Sequence, residues 1–123
     1  MAIPQLLLVE DSSKIPSSVR QQLEERYQCT FFSAVGETIP RELFDSAVQE
    51  TDLVILDAKL APMEINLLIE HCHSFGVSVF LLSEDSIESF ESKPSFFMQK
   101  PFEFIQFIAA IELILEDRYQ EAA

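Results

Sequence analysis

Glycine is scarce in this 123-residue sequence, which contains only Gly36 and Gly76. A phosphate-binding P-loop requires two glycines at a fixed spacing before Lys-Ser or Lys-Thr, and a dinucleotide-binding fingerprint requires three. The two glycines here lie forty residues apart, and neither opens such a motif. The sequence therefore excludes the common glycine-rich nucleotide-binding loops.

Positive charge is also scarce, because 8 Lys and Arg residues face 21 Asp and Glu residues, for a formal net charge of −13. Proteins that bind the phosphate backbone of nucleic acids need clustered Lys and Arg side chains. The basic residues of this chain are scattered among the acidic ones. We therefore expect no nucleic-acid partner.

The chain has too few cysteines for a disulfide framework, since only Cys29 and Cys72 are present. Each lies in an apolar segment, which is typical of a small buried thiol. A positively charged start followed by an apolar region is missing, so we expect no signal peptide. The longest apolar stretch, 102–115, is interrupted by three polar residues and is too short to span a bilayer. These features predict a cytoplasmic protein without membrane contact.

What the sequence does contain is a regular alternation of apolar runs and helical patterns. The apolar run at 6–9 predicts a strand buried on both faces, and the runs at 29–32, 53–56, 77–82 and 95–98 predict four more strands. Apolar residues at three- and four-residue spacing predict helices at 14–26, from a cap at Thr38 through Ile39, Leu43, Phe44 and Val48, at 64–75 before a stop at Gly76, and at 103–119. The acidic stretch 84–94 leaves room for one or two helical turns. This alternation predicts an α/β fold with a five-stranded, doubly wound parallel sheet and helices on both faces.

The last predicted helix carries two apolar stripes. The stripe expected to cover the sheet consists of Phe104, Ile108, Ile111 and Leu115. A second stripe beside it consists of Phe107, Ala110 and Ile114. Two interpretations remain open, namely a wide core face under a small sheet or a contact with a second copy of the chain or another partner.

Polar residues follow four of the predicted strands, at the sheet edge where open parallel sheets bind ligands. They are Glu10 and Asp11 after the first strand, Asp57 after the third, Ser83 after the fourth and Lys100 after the fifth. Each alone is compatible with a helix cap or a turn. Their joint occurrence, in this order, predicts a site.

The chemistry of this set points to phosphoryl transfer. Three close carboxylates repel one another unless a cation lies among them, and Mg²⁺ is the simplest cation that suits oxygen ligands. Lys100 would hold a phosphoryl oxygen and Ser83 would donate a hydrogen bond to another. Phosphoryl transfer depends mostly on positioning and charge neutralisation, and this set of residues supplies both. Asp57 is predicted to be the nucleophile that forms an aspartyl phosphate.

With these residues in place, the whole sequence, 1–123, resembles a single receiver domain of a two-component response regulator. The resemblance is carried by Leu-Leu-Leu-Val-Glu10-Asp11, Leu-Val-Ile-Leu-Asp57, Phe-Leu-Leu-Ser83 and Phe97-Met-Gln-Lys100-Pro101-Phe102. It implies strand order 2-1-3-4-5 and a phosphoryl donor that is a histidine kinase or a histidine phosphotransfer protein. It also implies a protein output through the face formed by the fourth helix, fifth strand and fifth helix. Apart from phosphotransfer to itself and autodephosphorylation, no enzyme activity is implied.

The same resemblance assigns roles to individual residues. Asp57 would be the phosphoacceptor, and Mg²⁺ would be held by Glu10, Asp11, Asp57 and the backbone carbonyl of Lys59. Ser83 and Lys100 would sense the phosphoryl group. Phe97 stands where the family keeps its switching aromatic residue.

The sequence also departs from the family pattern in three places. The loop after Asp57 reads Leu60-Ala61-Pro62-Met63-Glu64-Ile65, with its proline one place late and no glycine. Glu84 follows Ser83 where a small residue is usual, and the segment up to Lys100 is short, which predicts a stunted or irregular fourth helix. These departures favour an alternative, a pseudo-receiver that binds a protein partner without being phosphorylated.

Two further patterns were considered. Lys59 and Asp85 each lie two residues beyond a candidate site residue, and we hypothesise that they pair across the site and obstruct the water that would hydrolyse the aspartyl phosphate. In His71-Cys72-His73, residues two apart on a helix point in different directions. The two histidines are therefore not expected to share a metal ion.

Overall fold

The computed structural model describes residues 3–10, 16–33, 41–57 and 62–122. Ten elements follow one another in these ranges. They are β1 (Gln5–Glu10), α1 (Ser17–Arg26), β2 (Gln28–Ser33), α2 (Arg41–Val48), β3 (Leu53–Asp57), α3 (Pro62–Ser74), β4 (Ser78–Ser83), a 3₁₀ turn (Ile87–Ser89), β5 (Phe96–Gln99) and α4 (Phe104–Ala122). The predicted strands and helices are all present, with ends that differ by at most three residues where both are described.

The five strands form one parallel sheet in the order β2-β1-β3-β4-β5. This confirms the predicted α/β fold and the strand order that the resemblance implied. The three inner strands β1, β3 and β4 are buried along nearly their whole length. A strand covered on both faces needs apolar side chains on both, which explains their continuous apolar runs.

Two apolar cores lie on opposite faces of the sheet, because successive side chains of a strand point to opposite sides. On one face, Leu7, Val9, Val54 and Leu56 belong to a cluster with residues of α2 and α3 such as Phe44, Leu68 and Cys72. On the other face, Leu6, Leu8, Leu53 and Ile55 belong to a cluster with residues of α1 and α4 such as Leu23, Phe107 and Ile111. Helices on both faces are thus confirmed.

The segment between β4 and β5 holds only the 3₁₀ turn Ile87–Ser89. This confirms the stunted fourth helix that was predicted from the short sequence between Ser83 and Lys100. Phe90 after the turn is buried in the α2 and α3 cluster. The backbone N–H of Ser92 donates to Oδ1 of Asn66 at 3.1 Å, and Lys93 Nζ donates to the carbonyls of Ile87 and Phe90. The buried ring and the hydrogen bond of Ser92 therefore hold this segment against α3, whereas Lys93 bonds within the segment.

Gly76 ends α3 as predicted, because its φ of +72° lies in the left-handed region that other residues avoid. Its N–H donates to the carbonyl of His73, and the N–H of Val77 donates to that of Cys72. A Cβ at this position would meet nothing within 4 Å. The requirement for glycine is therefore conformational rather than steric.

Two details of the predicted core are wrong. Phe104 is 39% exposed and Phe107 is 1% exposed, so the stripe of α4 that covers the sheet is centred on Phe107, Ile111 and Leu115. Phe104 and Phe107 are equally apolar and lie only about 60° apart around the helix, so the spacing alone does not decide which of them faces the sheet. Leu43 is also exposed, since it lies about 100° around α2 from Phe44, which shares the buried face with Val48.

Candidate functional site

Glu10 and Asp57 end two neighbouring strands at the same edge of the sheet. They are register partners in the β1–β3 pair, and adjacent strands lie about 4.8 Å apart. Their side chains project from the face of Leu8 and Ile55, which is the face covered by α1 and α4. Both are buried, with 2% of Glu10 and 5% of Asp57 exposed. Two carboxylates are thus held close together in a place where a compensating positive charge is required.

Lys100 supplies such a charge to Asp57. Its Nζ lies 2.5 Å from Oδ1 of Asp57. Its backbone N–H donates to the carbonyl of Ser83 at 2.8 Å, which extends the β4–β5 pairing by one residue and sets the direction of the lysine. The peptide bond to Pro101 is cis. The fold therefore brings together Asp57 and Lys100, which the sequence placed at the ends of two strands.

Ser83 lies at the end of β4 and is partly exposed. Its Oγ accepts a hydrogen bond from the N–H of Asp85 at 3.1 Å. The next residue, Glu84, is exposed, and its carbonyl accepts from Nε2 of Gln99 at 3.1 Å. The hydroxyl of Ser83 thus shapes the turn after β4, and its own proton is left to donate elsewhere.

Arg20 is a site residue that the sequence analysis missed. Its guanidinium forms an ion pair with Oε1 of Glu10. The same guanidinium lies over the ring of Phe31 on β2, 4.2 Å from the ring centroid. The signal available in the sequence was Glu10 itself, because a carboxylate at the end of a buried strand needs a cation. The partner could not be chosen among the scattered basic residues without the packing of α1.

The donor set fits a hard divalent cation. Oε2 of Glu10 is buried and has no hydrogen-bond partner in the described part of the chain, so it is an oxygen that a ligand could use. Asp57 offers a second carboxylate on the same face. Mg²⁺ commonly uses one or two carboxylates and keeps several waters, which matches this pair. Asp11 and Lys59, the other predicted ligands, lie outside the described residues. Among the described residues, no group of three or more His, Cys, Asp or Glu side chains is placed to hold a metal ion.

A cleft of about 520 Å³ opens beside Asp57. Its lining residues are Asp57, Glu84, Lys100, Pro101, Phe102 and Phe104. The cleft thus combines one ion pair and one exposed carboxylate with an aromatic wall.

Phe97 lies on β5, where Leu81 of β4 is its register partner. It is partly buried against the α2 and α3 cluster, which is the face of the sheet opposite Asp57. Any effect of Asp57 on Phe97 must therefore pass through the strands rather than through direct contact.

The remaining candidates do not join this site. Asp85 is exposed, and its predicted partner Lys59 lies outside the described residues. Nδ1 of His71 is 2.9 Å from Oδ1 of Asp45, whereas Nε2 of His73 is 3.5 Å from Oγ of Ser95. The two histidines thus contact different partners, as their spacing on α3 predicts.

Both cysteines behave as packed apolar groups. Burial raises the pKa of Cys72 to about 12, with a further contribution from the negative charge of Asp45. Burial also raises the pKa of the half-buried Cys29 to about 11, with a smaller contribution from Glu24. Neither thiol is therefore poised as a nucleophile.

Within the described part of the chain, no helix has the length and apolar character needed to cross a bilayer. This applies to α4 as well, the longest of the four helices.

Comparison with models of protein families finds no match, and a search of curated proteins finds none. Solved structures do match. The signal receiver domain of an HD domain-containing protein from Pseudomonas fluorescens Pf-5 is 24% identical with a TM-score of 0.72, covering 97% of this chain and 91% of that chain. The BeF3-activated DrrB receiver domain is 20% identical with a TM-score of 0.72, covering 94% and 99%.

A response regulator receiver protein from Sinorhizobium medicae WSM419 is 17% identical with a TM-score of 0.69, covering 94% of this chain and 96% of that chain. All three identities lie below 25%, so the likeness concerns the fold. It extends over nearly the full length of both partners in each comparison. Together with the sheet order and the helices on both faces, these matches show that this chain has the fold of a response-regulator receiver domain.

Proposed function

We propose that this chain is a phosphoacceptor switch of a two-component system, which takes a phosphoryl group on Asp57. The observation that carries the proposal is the contact between Lys100 Nζ and the buried carboxylate of Asp57 at the mouth of a cleft. A receiver fold positions such a pair at the carboxyl edge of its sheet, where ligands of open parallel sheets bind. The donor in this proposal is a histidine kinase or a histidine phosphotransfer protein, in the cytoplasm.

The reaction requires one bond to form and one to break. An oxygen of Asp57 forms a P–O bond while the P–N bond of the donor's phosphohistidine breaks, and the electron pair of that bond returns to the imidazole nitrogen. Lys100 is placed to stay beside the transferred group and balance part of its charge. Ser83 would donate its hydroxyl proton to a phosphoryl oxygen.

Mg²⁺, held by Glu10, Asp57 and the predicted ligands Asp11 and the carbonyl of Lys59, would supply charge neutralisation for the transfer. The chain's own residues do the rest, because they position the acceptor and exclude water from its buried side. The pairing of Lys59 with Asp85 as a barrier to hydrolysing water remains part of the proposal. No activity beyond this self-phosphotransfer and autodephosphorylation is proposed.

The output in this proposal is a contact with an unidentified downstream protein, through the face formed by the 3₁₀ segment, β5 and α4. Phe97 would report the state of Asp57 to this face. It is partly buried beside Phe90 in the α2 and α3 cluster, so a change in its position would alter the packing of the 3₁₀ segment. A homodimer through α4 is a second way to use the same surface.

A pseudo-receiver is the second candidate, and two observations favour it. Glu84 lines the cleft beside Asp57, where a carboxylate opposes an incoming phosphoryl group. The segment after β4, which would have to move in a switch, is held by the buried ring of Phe90 and by the hydrogen bonds of Ser92 to α3. In this alternative the same scaffold binds its partner permanently.

The deciding experiment is incubation with acetyl phosphate and Mg²⁺, followed by intact-mass measurement. The proposal expects the added mass of one phosphoryl group on the wild type and none on Asp57→Asn. The carboxamide keeps the shape of the acceptor and removes its nucleophilic oxygen, so it is a matched control. Absence of the adduct with both acetyl phosphate and a panel of phosphorylated histidine phosphotransfer proteins would favour the pseudo-receiver.

A further inference from the structure

The ion pair of Glu10 with Arg20 has no counterpart among the roles assigned above. Glu10 is 2% exposed, whereas the side chain of Arg20 is about one-third exposed. A carboxylate in such a place is stable as an anion only beside a positive charge. Arg20 provides that charge from within the chain, on the first turns of α1.

Arg20 is also held in position from a second side. Its guanidinium stacks over Phe31 at 4.2 Å from the ring centroid, and Phe31 is packed against the α1 and α4 cluster. A planar guanidinium between an aromatic face and a carboxylate has little freedom to leave. Its Nη2 contacts Glu10, whereas its Nε is buried without a hydrogen-bond partner among the described residues.

The two buried carboxylates at this edge therefore each have their own cation. Arg20 pairs with Glu10, and Lys100 pairs with Asp57. The formal charges of these four side chains sum to zero. A divalent cation that approaches Glu10 and Asp57 is therefore attracted less strongly than it would be by the same two carboxylates without their cations. It also finds Oε1 of Glu10 engaged and only Oε2 without a partner.

We propose that Arg20 is a built-in competitor for the divalent-cation site, which neutralises Glu10 in the absence of metal and weakens metal binding. This inference rests on the proposed function, because that function places a cation between Glu10 and Asp57. In the absence of metal, the negative charge of Glu10 is balanced by Arg20. Phosphorylation would then require a high concentration of Mg²⁺ or a partner that draws Arg20 away.

The test compares Mg²⁺ binding to the wild type and to three variants by isothermal titration calorimetry at constant ionic strength. Arg20→Gln removes the competing charge, and we expect it to bind Mg²⁺ about tenfold more tightly. Arg20→Lys keeps the charge and should bind Mg²⁺ nearly as the wild type does. Arg26→Gln is the matched control, because Arg26 lies on the same helix but pairs with Glu112 on α4, and its affinity should be unchanged.

Arg20→Gln leaves a buried carboxylate unpaired and could fail to fold without metal. A second measurement therefore tests the effect of Mg²⁺ on the stability of this variant. The midpoint of thermal unfolding is measured with and without Mg²⁺, with K⁺ of equal ionic strength as the reference. The inference expects Mg²⁺ to stabilise Arg20→Gln by more degrees than the wild type, or to restore its folding. Equal or weaker Mg²⁺ binding by Arg20→Gln, or no folding of this variant in Mg²⁺, would overturn it.

The acetyl phosphate adduct, measured on the wild type and on Arg20→Gln at a Mg²⁺ concentration that saturates the site, reports separately on the proposed function. An adduct together with unchanged Mg²⁺ affinity in Arg20→Gln overturns the role of Arg20 and leaves the phosphoacceptor intact. Absence of the adduct together with tighter Mg²⁺ binding in Arg20→Gln supports the competitor and counts against the phosphoacceptor. The two ideas therefore fail independently.

Discussion

The ammonium group of Lys100 lies 2.5 Å from the carboxylate of Asp57, although the two residues are 43 positions apart in the chain. Asp57 ends β3 and Lys100 follows β5, with β4 between them in the sheet. The ion pair therefore reaches across one strand and links the edge strand to the centre. Because Asp57 is buried, this pair affects stability as well as chemistry.

Lys100→Met should lower the free energy of unfolding by about 1–3 kcal/mol, less than for a fully buried pair because the lysine is partly exposed. Urea unfolding of Lys100→Met, Asp57→Asn and the double variant measures the coupling. Since Asp57→Asn removes the charge that needs a partner, the double variant should be more stable than the sum of the single effects predicts. Strict additivity would show that the pair contributes nothing.

Glu84→Gln should increase the rate of adduct formation with acetyl phosphate by about two- to threefold, because it removes an exposed negative charge from the cleft beside Asp57. The effect should shrink as salt is added, since the charge is exposed. Glu88→Gln in the 3₁₀ turn is a matched control for net charge. If both variants react at the same rate as the wild type, Glu84 has no influence on the acceptor.

Phe90→Ala should destabilise the fold by about 3–5 kcal/mol, the usual cost of truncating a buried phenylalanine. The ring is buried against α2 and α3 and fastens the segment between β4 and β5. Phe75→Ala is the control, because Phe75 is 40% exposed at the end of α3 and its loss should cost less than about 1 kcal/mol. Equal costs measured by urea unfolding would mean that the segment is not anchored by this ring.

The architecture was predictable because each buried strand carries a continuous apolar run and each helix an apolar face of regular spacing. The run 53–56 illustrates this, since four consecutive apolar residues, two of them β-branched, followed by a carboxylate are typical of a central strand. Gly76 was likewise predictable as a helix stop. The face of α4 was not, because Phe104 and Phe107 are both apolar and the choice between them depends on how the helix packs on the sheet.

For the site, the sequence indicated which residues end the strands but not how their charges are balanced. Asp57 and Lys100 meet because parallel strands bring their ends to one edge. The role of Arg20 could not be predicted, because it depends on how α1 packs against β1 and on the position of the ring of Phe31 in β2. Neither is encoded in local spacing, and both depend on contacts between residues distant in the chain.

The two thiols should be protected from alkylation in the folded protein. At pH 8.5 iodoacetamide should modify Cys29 and Cys72 slowly, and rapidly once urea is added, because burial raises both pKa values above the ordinary 9.0.

Unfolded thiols lose protons above pH 9 while folded ones keep them. The stability that the thiols contribute is therefore complete below pH 9 and is lost as the pH rises towards 11 or 12. Cys72→Ala should reduce this alkaline loss, and an unchanged pH profile would contradict it.

The outer side of α4 provides the surface for the homodimer hypothesis. Ile105 is 73% exposed and Leu113 is 63% exposed, and residues eight apart lie on one side of a helix. If a second copy covers this side, sedimentation equilibrium should show a dimer whose affinity falls on Leu113→Glu, since a carboxylate there would be buried without a partner. Gln49→Glu is the matched control for charge, because Gln49 is exposed just after α2 on the opposite face of the sheet. A strict monomer at high protein concentration, with or without acetyl phosphate, would eliminate the homodimer and leave α4 to contact a different protein.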